Sequence, residues 1–132
     1  MQKASITVTP NTEGCISARQ FLDEHLPADC ASAFQIAFDE LFSNIEKYAP
    51  ECTEVALELT QRGTEVKLRF ISDGTAYNSL DYPEPDITQP LEERAEGGLG
   101  IYLVKRLMDR VSYRYEAGYN ILELSKSSAG SD

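Results

Sequence analysis

Cysteine and histidine are scarce in this chain. Its 132 residues include three cysteines and one histidine, and no tryptophan. Cys15, Cys30 and Cys52 are odd in number and share no tight metal-ligand spacing, which argues against a disulfide framework and against a zinc site. A single histidine would leave Ser-His or Cys-His catalysis resting on His25. That residue lies in Asp-Glu-His-Leu-Pro, near the end of an expected helix, where the helix dipole favours a surface histidine. Long apolar runs are absent too. Nothing approaches the roughly 20 residues that cross a bilayer, and the opening Met-Gln-Lys-Ala-Ser-Ile-Thr-Val alternates like a strand, without the apolar block of a signal peptide. Positive charge is short as well: 12 Lys and Arg stand against 22 Asp and Glu, a net charge of -10. A duplex binder needs a basic face to neutralise phosphates, so no direct nucleic-acid partner is expected. The expectation is a reduced, cytoplasmic protein with no membrane association. Its length suits one domain with a substantial core.

The periodicity is clear along most of the chain. Ala4, Ile6 and Val8 alternate with polar residues and predict a strand over 3–9. Pro10-Asn11-Thr12 supplies a turn and a cap for a helix over 13–25. Pro27 is expected to open a second helix that runs to about Tyr48 and is closed by Pro50. Val55, Leu57 and Leu59, then Val66, Leu68 and Phe70, flank a Gln-Arg-Gly-Thr turn and predict a hairpin. Residues 79–96 carry Pro83, Pro85 and Pro90, several acids and little periodicity; such a long loop is usually functional or disordered. A third helix follows at 101–109, with Leu99, Leu103, Leu107 and Val111 as its apolar stripe. Two further strands, around 111–115 and 121–125, flank the Ala117-Gly118-Tyr119-Asn120 turn. The order is βααββ, lid, αββ. It predicts an α+β two-layer sandwich whose sheet is mixed but mostly antiparallel, with all helices on one face. The domain is expected to span 1–126, with its lid at about 79–96 and a disordered tail at 127–132.

Three segments bear on chemistry. Residues 38–48, Phe-Asp-Glu-Leu-Phe-Ser-Asn-Ile-Glu-Lys-Tyr, place Glu40, Asn44 and Lys47 on one helical stripe, opposite an apolar face of Phe34, Phe38, Leu41 and Ile45. Asn is a poor interior helix residue, because its side chain competes for backbone groups. Residues 70–78 run from a strand into Ser72-Asp73-Gly74, where an Asp at the strand end could accept a hydrogen bond from an exocyclic amine, or simply make an Asp-Gly turn. Residues 96–100, Glu-Gly-Gly-Leu-Gly, precede a helix; glycines there let backbone N–H groups approach an anion, or make a flexible helix cap.

Taken together, the segments resemble a specific family. Glu-x-x-x-Asn-x-x-Lys-Tyr on a helix, then a strand ending in Asp-Gly, a lid, and Gly-Gly-Leu-Gly opening a helix, is the motif order of the GHKL ATPases. Within that superfamily the chain is most similar to the anti-sigma-factor serine/threonine kinases. The run 97–113 looks like their second glycine box with its helix and strand, and Tyr77-Asn78-Ser79-Leu80 resembles their segment after the first box. The resemblance covers about residues 3–126 and implies a Bergerat-type ATP-binding fold. It implies Glu40 as general base on the attacking hydroxyl, and Asn44 as the Mg²⁺ ligand through its amide oxygen. Lys47 would lie near the phosphates. Gly97, Gly98, Leu99 and Gly100 would present main-chain N–H groups to the phosphates, and Arg94 would close with the lid. Asp73, beside Gly74, would read adenine. The family's pattern there is Asp-x-Gly, however, so a gapless alignment puts Ser72 at that position. Strand alternation agrees, because Phe70 and Ser72 share a face.

The implied cofactors are ATP and Mg²⁺. The implied partners are a STAS-domain anti-sigma-factor antagonist, as phosphoacceptor, and a sigma factor held in sequestration, with a possible homodimer. A carboxylate and an amide four residues apart stand about one helical turn, roughly 6 Å, from one another. That separation suits a base on the acceptor side and a metal on the phosphate side, as phosphoryl transfer requires. The alternative is a degenerate GHKL-fold binding module that has lost kinase activity. A domain cut from a sensor histidine kinase ranks lower, since no phosphoacceptor helix hairpin precedes the first strand.

Overall fold

Among the described residues, five strands and three helices follow one another as the alternation predicts. The computed structural model describes residues 2–80 and 98–128. Strand β1 (Gln2–Val8) leads to helix α1 (Thr12–His25). Asn11 caps α1 by accepting from the Gly14 N–H at 2.8 Å. A side chain at Gly14 would strike the Thr9 carbonyl oxygen, so glycine is what lets the helix start so close to the strand exit. Helix α2 begins later than Pro27 implies, at Ala31, and runs to Tyr48. Leu26 is extended, as a residue before proline prefers to be, and the Cys30 N–H closes a turn on the Pro27 carbonyl.

Strands β2 (Val55–Arg62) and β3 (Glu65–Asp73) form a hairpin about Gly63, whose φ of 60° suits its tight turn. Helix α3 (Gly98–Leu107) precedes β4 (Arg110–Glu116) and β5 (Tyr119–Ser127). These last strands are joined by Ala117-Gly118, both at positive φ, as a two-residue hairpin turn of the favoured hand requires. The sheet order is β1-β2-β3-β5-β4, and every pairing among the described residues is antiparallel, so the expected mixture is not seen.

The core lies between the helices and one sheet face. Phe34, Phe38, Leu41 and Phe42 of α2 meet Leu57, Leu68, Phe70 and Leu124 of the sheet, and Phe38 stacks on Phe70 at 6.1 Å. The other face carries charge. Arg69 bonds Glu123 at 2.8 Å and approaches Glu58 at 3.6 Å. Burial works against the Glu123 charge, but the Arg69 bonds and neighbouring Lys67 hold its carboxyl below the usual range.

Two expectations change. The buried stripe of α3 is Ile101, Val104 and Met108, whereas Leu103 is exposed, because the α2 side of the helix is the side that includes Gly100. The ordered chain also passes residue 126. Ser127 pairs with Glu65, and buried Ser128 donates from its N–H to the Thr64 carbonyl. The rest of the expected tail lies outside the described residues, as does the lid apart from Ser79 and Leu80. No described helix is long and apolar enough to cross a membrane.

Candidate functional site

Helix α2 is buried on most of its circumference, and that changes the setting of its polar stripe. Asn44 is not displayed to solvent but is 3% exposed, and its Nδ2 has no hydrogen-bond partner among the described residues. A buried amide N–H left unpaired costs roughly 1–3 kcal/mol; as a donor it can bond a phosphate oxygen, whereas a cation would be held by the amide oxygen. One turn earlier, the partly exposed Glu40 makes no hydrogen bond or ion pair among the described residues. Lys47 stands exposed in the last turn.

Glu40 faces the glycine segment. A methyl group built on Gly100 would lie 2.0 Å from Glu40 Cδ and 2.1 and 2.4 Å from its oxygens. The carboxylate therefore rests on the bare Cα in the first turn of α3, which Gly98, Leu99 and Gly100 form. The helix start brings unpaired N–H groups and the positive end of the dipole to this place. Gly97 and Arg94 lie outside the described residues.

The strand end behaves differently from the expectation for Asp73. Its Oδ1 accepts from the Thr53 and Glu54 N–H groups at 2.8 and 3.0 Å, and its Oδ2 accepts from the Thr53 hydroxyl. That hydroxyl, aided by the two N–H groups, holds the Asp73 carboxyl down at about 2. Gly74, at φ 104°, packs against the backbone of Glu51 and Cys52, and Thr75 donates to Glu51. Asp73 thus fastens β3 to the start of β2. Burial, with Asp73 beside it, pushes the neighbouring Cys52 thiol up to about 11, so it stays protonated. Ser72 is the residue that points inward: it is 6% exposed and lines a small cavity of about 20 Å³ beneath Ile45, Tyr77 and Asn120. A second cavity of about 270 Å³ opens between residues 48–52 and 75–77. Tyr77 lines both, with its ring 6.4 Å from that of Tyr48.

Asn120, which the sequence places in a turn, is a structural member of this wall. It sits directly across from Ser72 in the β3–β5 register. Its Oδ1 accepts from the Tyr77 N–H at 2.8 Å and from the Tyr113 hydroxyl, and its Nδ2 donates to the Thr75 carbonyl at 3.1 Å. Tyr115 adds a bond to the Gly74 carbonyl at 2.9 Å. The signal was present in the inward phase of 120, 122 and 124, where a polar residue is out of place.

The residues suit a hard cation that keeps most of its water. No group of three or more His, Cys, Asp or Glu gathers as a metal site among the described residues. An amide oxygen from Asn44, with phosphate and water oxygens, is the sparse protein contribution Mg²⁺ tolerates. When bound, such an ion would neutralise charge on transferring phosphates.

Known proteins resemble this chain over most of its length. A serine/threonine-protein kinase, BtrW of Bordetella bronchiseptica, is 28% identical over 131 residues, 95% of this chain and 91% of that protein. A serine-protein kinase, RsbW of Bacillus thuringiensis, is 26% identical over 94 residues, which are 67% of this chain and 59% of that protein. Among solved structures, the RsbU and RsbW domains of Rv1364c from Mycobacterium tuberculosis match 97% of this chain with a TM-score of 0.62. The identity there is 15%, and this chain spans 33% of that one, so that likeness speaks for the fold. The model of the histidine kinase-like ATPase domain matches residues 12–126, and with the glycine turn, buried amide and facing carboxylate already in place, the chain belongs to that family.

Proposed function

We propose that the chain binds Mg-ATP and transfers its γ-phosphate to a serine or threonine of a STAS-type antagonist, and that it also sequesters a sigma factor. The observation that carries this reading is the Glu40 carboxylate resting on Gly100, with Asn44 Nδ2, which has no partner among the described residues, one turn away. Kinase names among the relatives support it. Glu40 takes the proton of the attacking hydroxyl. The hydroxyl oxygen bonds to Pγ, the bond from Pγ to the β-bridging oxygen breaks, and its electron pair leaves with ADP. Asn44 holds the metal side, and the first turn of α3 directs N–H groups at the phosphates. Ser72, not Asp73, faces the base, since the Asp73 oxygens are engaged by residues 53 and 54.

The test is transfer of labelled γ-phosphate to a STAS-domain protein, with Glu40→Gln expected to abolish it. One observation favours a second reading, a binding module without kinase activity: the base-side cavity of about 20 Å³ holds little more than one water and carries no charged side chain among the described residues. Failure to bind Mg-ATP at millimolar concentration would select that reading.

A further inference from the structure

The small cavity at the end of β3 has an unusual hydrogen-bonding character. Among the described residues its polar wall consists of Ser72, Tyr77, Ser79, Tyr113 and Asn120, and no charged side chain lines it. Ser72 and Ser79 are 6% and 4% exposed, and neither side chain has a partner among the described residues. A hydroxyl donates or accepts by rotating, so both serines serve either role. The Tyr113 proton is committed to Asn120, which leaves its oxygen as an acceptor. The Asn120 oxygen is taken twice, and one of its two amide hydrogens goes to Thr75, which leaves one donor. The free capacity around the cavity is therefore of both kinds.

This matters for the purine edge that would lie against it. Adenine presents a donating amine at its six-position, whereas guanine and hypoxanthine present an accepting carbonyl there. A carboxylate accepts only, so it would welcome the amine and repel the carbonyl. Asp73, the residue that follows Ser72, is turned to Thr53 and Glu54 instead. A site discriminates strongly only when the wrong ligand leaves its buried polar groups unpaired. Here neither base does so.

We propose that the purine end of this site does not choose between amine and carbonyl, and that GTP and ITP bind alongside ATP. The proposal rests on the nucleotide reading above, with Ser72 at the base. Calorimetric titration of the full chain with Mg-ATP, Mg-GTP and Mg-ITP tests it without recourse to activity. The affinities for ATP and GTP are expected to agree within about tenfold, whereas a wild-type preference for ATP above about a hundredfold overturns the proposal. Ser72→Asp is expected to widen the ratio at least tenfold by weakening GTP. Because that variant buries a carboxylate and is at risk of misfolding, Ser72→Ala provides the second arm. It should weaken ATP and GTP alike, and a loss confined to ATP means that the serine reads the amine alone. Binding of none of the three overturns the nucleotide reading itself, whereas binding of ATP alone overturns only this inference.

Discussion

Replacing Gly100 by alanine separates the fold from the chemistry. Alanine is a better helix residue than glycine by about 1 kcal/mol, and Gly100 lies within α3 with no positive φ to maintain. The three atoms nearest the added methyl all belong to the tip of a flexible side chain. Glu40 Cδ, at 2.0 Å, must retreat about 1.5 Å to reach an ordinary contact of roughly 3.5 Å. A partly exposed carboxylate can do that cheaply, so the melting temperature of Gly100→Ala should stay level or rise by about 2–5 °C. The reaction has no such latitude, since a misplacement of about 1 Å costs on the order of a hundredfold in rate. Single-turnover transfer should therefore fall about a hundredfold, equivalent to roughly 2.7 kcal/mol of barrier. Adding Gly100→Ala to Glu40→Gln should cost nothing further, because both changes remove the same group from its place. Transfer at the normal rate in Gly100→Ala would refute the claim that the carboxylate must rest on that Cα. A large loss of thermal stability would refute the claim that the contact is soft.

Three other perturbations follow from the same geometry. Asn44→Ala removes a buried donor that has no partner, so the nucleotide-free protein should keep its melting temperature within a few degrees. Calorimetry should show Mg-ATP affinity falling at least about tenfold while Mg-free ATP is less affected; equal losses would deny Asn44 a metal role. Asp73 has its carboxyl held at about 2, below the usual 3.8, so it adds stability at pH values above about 4 that disappears as pH falls from 4 to 2. Screening at this partly exposed position limits the effect to on the order of 1 kcal/mol. Urea unfolding of Asp73→Asn should show lower stability at pH 7 and a flatter dependence over that window. Asn120→Ala should cost about 2–3 kcal/mol by leaving the Tyr77 N–H and Thr75 carbonyl without it. Faster hydrogen exchange at Tyr77 would report the loosened segment.

The strands were legible because a half-buried sheet writes a period of two into the sequence, as Val55, Leu57 and Leu59 in β2 and Val66, Leu68 and Phe70 in β3 do. The glycine segment and the Glu40–Asn44 pair were legible as residue types at a spacing. The burial of Asn44 was not, because periodicity treats a polar residue as outward-facing and cannot register a group awaiting a ligand. The α3 stripe was misjudged for a related reason: leucines mark apolarity, but the buried side was set by the residue with no side chain at all. Pro27 misled because a proline can start a helix or open a turn, and the chain uses it for the second. The engagement of Asp73 with Thr53 and Glu54 joins residues some twenty positions apart, and no local pattern encodes it.

The two ends of the candidate site are anchored in different ways. The proposed phosphate end is mounted on α2, a helix whose inner face, with Phe38 and Phe42, is embedded in the aromatic core. The base end hangs from hydrogen bonds that β4 and β5 extend to residues 74–77. Inheritance can therefore edit the second without retuning the first: a few polar exchanges would change which nucleotide is welcome and leave the machinery that moves its terminal phosphoryl group as it was.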